Sequence, residues 1–232
     1  MSTQLERRST VSAVELRATS ARTIGGYAAK FWRESQSLGG FVEQIDARFF
    51  NKSAGDGWPG VLARYNHEDL LATMSAGSLR LELDSEGLLY DADLLTDAVS
   101  DRVLQLVARG DVSQSSFAFR TFEDDWSLNA QGVPLRTLIS GKLVDVAPVD
   151  TPAYLDTSTG LRSLAEKRDA DIEEVKQLAA DGNLSQLIKP APTVIALSGA
   201  TRSDDEDEQG DEPTPSGRVQ VLLRDLELKN KQ

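Results

Sequence analysis

The sequence predicts a mainly β domain with flanking helices, followed by a helical and low-complexity C-terminal tail. Three observations predict it. From about residue 21 to 165, short apolar runs are punctuated by Gly, Ser and Asp, the pattern of short strands. One segment, 96–110, instead carries apolar residues at helical spacing and ends on a glycine. After residue 165 the composition shifts to a charged helix and then to Pro, Ser, Thr, Gly and acids. The chain therefore divides into a flexible leader (1–20), a domain (21–165), an amphipathic helix (166–188), and an acidic linker with a short apolar terminal segment (189–232).

Within the domain, TIGGYAAKFW and GGFVEQIDARFF cluster β-branched and aromatic residues between glycines. SLRLELDSEGLLYDADL reads as a hairpin. Leu79, Leu81 and Leu83 share one face, Asp84 to Gly87 turn the chain, and Leu89 resumes the pattern. In the helix, Thr96 is the expected N-cap, Asp97 suits the first turn, Val99, Val103, Leu106 and Val107 form the apolar stripe, and Gly110 stops it. SQSSFAFRTF is the next strand, and PLRTLISGKLVDVAPVDTPAY carries the last ones before Pro148 and Pro152. In the tail, Ile172, Val175, Leu178 and Ala179 line one stripe of a helix that Gly182 ends.

Composition narrows the function. The 232 residues are 40% hydrophobic and 27% charged, ordinary for a globular protein. There is no cysteine and one histidine, so disulfides, zinc fingers, a cysteine nucleophile and a His-rich metal site are excluded, and no cofactor is expected. A net charge of −12, concentrated in DDEDEQGDE at 204–212, argues against a broad nucleic-acid-binding face. No apolar run is long enough to span a bilayer.

The stretch SQSSFAF at 113–119 raises the question of a nucleophile. In a strand, Ser115, Phe117 and Phe119 share one face, which the two phenylalanines send to the core. Ser116 then lies on the opposite face beside the small Ala118, looking outward into open space, and Ser115 is the weaker candidate. A serine needs a base, and His67 is the only histidine. The imidazole in turn needs a group to fix its tautomer. Asp145, set between valines in LVDVAPV, is a reasonable partner, with Glu43, Glu68 and Asp150 as competitors. A neutral histidine base implies activity rising through about pH 6–7.5.

Together these blocks resemble the tailed-bacteriophage prohead maturation proteases, serine peptidases related to herpesvirus assemblin. GYAAKF (26–31) opens the resemblance, and LGGFVEQIDARFF is similar to the segment leading to the family's "GAF" turn. RYNHE matches the Asn-His-Asp/Glu block. The hairpin and the helix ending in ARGDV lead to the serine motif, usually Ser-Phe-Gly-Phe and here Ser116-Phe117-Ala118-Phe119. VDVAPVDTPAY resembles the acidic-Val-Ser-Pro-Val…Pro-Ala-Tyr ending. Ala118 departs from the usual Gly, Ala147 from Ser, and Phe49-Phe50 from the small residues usual at their turn.

The resemblance implies Ser116 as nucleophile, His67 as base and Asp145 as third member, in a herpesvirus-protease-like β-barrel. It implies a serine endopeptidase that cuts the scaffold, or the scaffolding segment of the major capsid protein, and itself. The expected location is the assembling procapsid in the host bacterial cytoplasm, with a homo-oligomer allowed. The alternative is an assembly protein of the procapsid that kept the fold and lost catalysis.

Overall fold

A computed structural model describes residues 4–9, 17–20, 22–150 and 158–188. The expected acidic linker and terminal apolar segment (189–232) lie outside the described residues, as does the 151–157 part of the Pro-Ala-Tyr ending.

Strands β1 (Glu6–Ser9), β9 (Gln114–Leu128), β10 (Pro134–Val149), β5 (Leu62–Tyr65) and β6 (Asp69–Thr73) form one sheet in that order, and β4 (Val42–Ile45) also pairs with β10. The second sheet runs β2 (Arg17–Ser20), β3 (Thr23–Lys30), β8 (Gly87–Asp93), β7 (Leu79–Leu83). The domain is mainly β with flanking helices, as the sequence implies. Its described strands form two open sheets rather than a closed barrel, because β1, β6, β2 and β7 each end a sheet.

The two long strands, β9 and β10, pair along nearly their whole length, and around Ser116 both faces are covered, with Ser115–Phe119 of β9 and Asp145–Val149 of β10 buried without a break. Ile24, Tyr90, Phe117, Phe119 and Val146 from both sheets join Val103 and Val107 of α2 (Ala98–Arg109) in one core. Burying each phenylalanine contributes roughly 1.5–3 kcal/mol. Phe49 and Phe50, preceding α1 (Asn51–Gly55), are fully buried and stand edge-on to Phe119 and Phe117, with centroids 5.4 and 5.8 Å apart. Bulk at that turn is thus accommodated by a missing side chain elsewhere. A Cβ on Gly141 would lie 2.3 Å from the Phe49 ring.

Two boundaries differ from the sequence expectation. The N-cap of α2 is Asp97, whose carboxylate accepts from the Ser100 amide, so Thr96 lies one residue outside. The leader is not loosely held over its whole length. Glu6–Ser9 pairs with β9, where buried ion pairs of Glu6 and Arg8 compensate for the polar side chains, and the backbone of Arg17–Ser20 pairs with β3.

Beyond β10, α3 (Ser158–Arg168) and α4 (Ile172–Ala180) replace the single helix expected over 166–188, with a 3₁₀ turn at Leu184–Leu187. Asp171 caps α4 by accepting from the amides of Glu173 and Glu174. Leu161, Leu164, Val175, Ala179 and Leu184 close a second core against Phe41 and Trp126. No helix among the described residues is long and apolar enough to cross a membrane.

Candidate active site

His67 sits in the turn between β5 and β6. Asn66 and His67 both have positive φ (52° and 63°), and the Glu68 amide donates to the Tyr65 carbonyl across them. Asparagine and histidine are both among the residues that tolerate this left-handed conformation, and the surroundings fix it. The surroundings are the end of β10. The Asn66 amide donates to the Pro148 carbonyl, and the Asn66 side chain both donates to the Asp150 carboxylate and accepts from the Asp150 amide. Tyr65 also donates to Asp150, at 2.9 Å. Burial and that carboxylate push the Tyr65 phenol up.

The imidazole is thereby held over the sheet, with its side chain only 5% exposed. Nδ1 lies 2.6 Å from Asp145 Oδ1, and Nε2 lies 2.7 Å from Ser116 Oγ. An ionised carboxylate can only accept, so Nδ1 carries a proton and Nε2 faces the serine hydroxyl. The structure thus brings together the three residues that the sequence singled out.

A bulge makes this possible. Lys142 and Leu143 stand opposite Arg120 and Phe119, but Asp145 stands opposite Ala118, so Val144 is an extra residue in β10. In an unbroken ladder Asp145 would oppose Phe117 and point into the core. The extra residue shifts the alternation and turns the carboxylate onto the face of Ser116 and Ala118.

Of the competing residues, Ser115 points the other way, 3.1 Å from the Tyr90 hydroxyl in the core. Glu43 is buried against Arg8 and Arg136, and Asp150 supports the turn. The expectation that Ser116 faces open space is not met. Its parity is as expected, yet Ser116 and Ala118 are both 0% exposed. The His67 turn lies over Ser116, and β1 lies along the strand edge, where Ser116 Oγ is 3.0 Å from the Arg8 carbonyl oxygen.

The supporting residues Tyr65, Asn66 and Asp150 were not singled out as such by the sequence reading. The signal available was Asn beside His, since consecutive residues of that pair in a tight hairpin favour positive φ. The Val144 bulge leaves no comparable mark.

The chain matches the profile of the caudovirus prohead serine proteases over residues 8–173, well over half its length. It belongs to that family. The enzyme is therefore a serine peptidase of the capsid-maturation class. Among solved structures, the bacteriophage T4 capsid assembly protease is similar at 11% identity and a TM-score of 0.43, covering 64% of this chain and 98% of that one. No curated protein matches the chain in sequence.

Proposed function

We propose that Ser116 is the nucleophile, His67 the general base and acid, and Asp145 the group that orients and compensates the imidazole. The observation that carries this reading is the continuous relay of 2.6 and 2.7 Å through the only histidine. Ser116 Oγ attacks the peptide carbonyl carbon while its proton passes to Nε2. The tetrahedral intermediate collapses, the C–N bond breaks, and Nε2 returns the proton to the leaving amine. Water then repeats the sequence on the acyl-enzyme and releases the acid. Asp145 stays ionised and stabilises the imidazolium at each proton transfer.

The substrates we infer are the scaffold, or the scaffolding segment of the major capsid protein, and this chain itself, inside the procapsid in the host bacterial cytoplasm. Family membership supports this reading. Co-expression with the cognate capsid protein tests it. Ser116→Ala and His67→Ala should fold, co-assemble and leave the capsid protein and the protease chain uncut. Processing by Ser116→Ala at the native rate would remove Ser116 from the mechanism.

A further inference from the structure

We propose that β1 is a displaceable internal occupant of a peptide-binding edge. An extended peptide segment carrying an acidic residue and, two positions later, a basic one fits the same place on β9, and the departure of β1 releases Ser116 to His67. This rests on the assignment of Ser116 as nucleophile.

Ser116 has one hydroxyl proton and two acceptors within reach, His67 Nε2 at 2.7 Å and the Arg8 carbonyl at 3.0 Å. A proton held by Arg8 is not on the path to the imidazole. While β1 is seated, the serine is buried, and part of its hydrogen-bonding capacity is diverted to the main chain. The strand responsible is short and lies at the end of its sheet. Glu6 to Ser9 run antiparallel to Phe119 to Ser116, and among the described strands β1 pairs with β9 alone. Peptides are commonly bound by adding a strand to such an edge.

The side chains of β1 mark the seat. Glu6 is fully buried, pairs with Arg136 at 2.7 Å and accepts from Thr121 at 2.6 Å. Arg8 pairs with Glu43 at 2.8 Å and with Glu6 at 2.9 Å. Removing β1 withdraws one negative and one positive charge, Glu6 and Arg8, from the buried cluster, the third charge of the strand being the exposed Arg7. What stays behind is still balanced: Arg136 keeps Glu43 at 2.9 Å and Asp124 at 2.6 Å, and Lys167 keeps Asp124 at 3.3 Å. A buried cluster tolerates the loss of a neutral pair far better than that of a single ion. The same balance selects the newcomer. An acid-x-base strand restores both ion pairs, and one with the charges exchanged sets its base against Arg136 and its acid against Glu43.

The experiment measures the rate at which a fluorophosphonate labels Ser116 in the full chain, in a chain lacking residues 1–9, and in the full-length double variant Glu6→Gln/Arg8→Gln, with circular dichroism on each. Deletion should accelerate labelling at least tenfold, and the double variant should accelerate it in the same direction. A synthetic peptide of residues 4–9 should return the deleted chain to the full-chain rate, whereas the charge-exchanged peptide QLRRES should not. A folded deletion that labels no faster overturns the proposal. If the deletion misfolds, a folded double variant labelling at the full-chain rate does so. Equal inhibition by the two peptides overturns the charge-selective seat. Chains that are never labelled, with or without β1, overturn the nucleophile assignment itself. Labelled chains whose rate ignores β1 overturn only the proposed occupant.

Discussion

Asp145→Asn removes a charge while preserving shape, and its consequence follows from the relay. In the native site Nδ1 donates to Asp145 over 2.6 Å, which leaves the Nε2 lone pair for the Ser116 proton. An asparagine amide turned toward Nδ1 makes that nitrogen an acceptor and moves the imidazole proton to Nε2, which then donates to Ser116 instead of receiving from it. The variant also lacks the anion beside the imidazolium formed during attack. At charge separations of about 4 Å and an effective dielectric of about 20, that anion contributes roughly 4 kcal/mol. One factor of ten in rate corresponds to about 1.4 kcal/mol, so the charge alone predicts a loss of about 10³-fold, and the wrong tautomer extends it toward 10⁴-fold. The assay is cleavage of purified capsid protein at matched enzyme concentration, with thermal unfolding as the control for folding. Asp150→Asn, which touches the turn and not the ring, should cost far less. A folded Asp145→Asn enzyme within tenfold of the native rate would refute the orienting role.

Three further outcomes are expected. Arg136→Met leaves Glu6, Glu43 and Asp124 buried with one cation fewer, so stability should fall by about 3–5 kcal/mol, seen as a drop of roughly 6–20 °C in Tm. Burial alone would lower the Arg136 pKa, but Glu43, Glu6 and Asp124 raise it above its ordinary value, so this loss should persist at every pH where those acids are ionised. Gly141→Ala forces a methyl against Phe49 and the Arg120 carbonyl at 2.3 and 2.8 Å, which should cost roughly 1–3 kcal/mol in denaturant unfolding. Acid should destabilise the fold through Asp93, whose carboxyl the Arg80 and Thr23 hydrogen bonds hold down from 3.8 to about 2. The folded state binds this proton less readily than the unfolded chain. The stability that Asp93 contributes is therefore present above about pH 4 and lost as pH falls toward 2. Asp93→Asn should flatten Tm against pH across that window, by an amount that solvent screening keeps below about 1 kcal/mol.

What the sequence determined is local. Alternation in SQSSFAF put Phe117 and Phe119 on the core face and Ser116 on the other. Helical spacing located α2, and the lone histidine limited the possible base to His67. These features depend on periods of two or 3.6 residues and on residue counts, both legible in one dimension. The tertiary structure decided what depends on register and closure. One extra residue at Val144 turns Asp145 from the core face to the serine's face. A left-handed turn pinned by Asp150 aims His67 at partners 49 and 78 positions away. A strand from a segment that reads as a loose leader lies against the nucleophile, held by ion pairs spanning 35 and 130 positions. Two residues that distant meet only when every intervening register is fixed, and a register shifts by one wherever a bulge occurs. Alternation therefore identified which side chains share a face of their own strand, while only the folded chain could set those faces against one another.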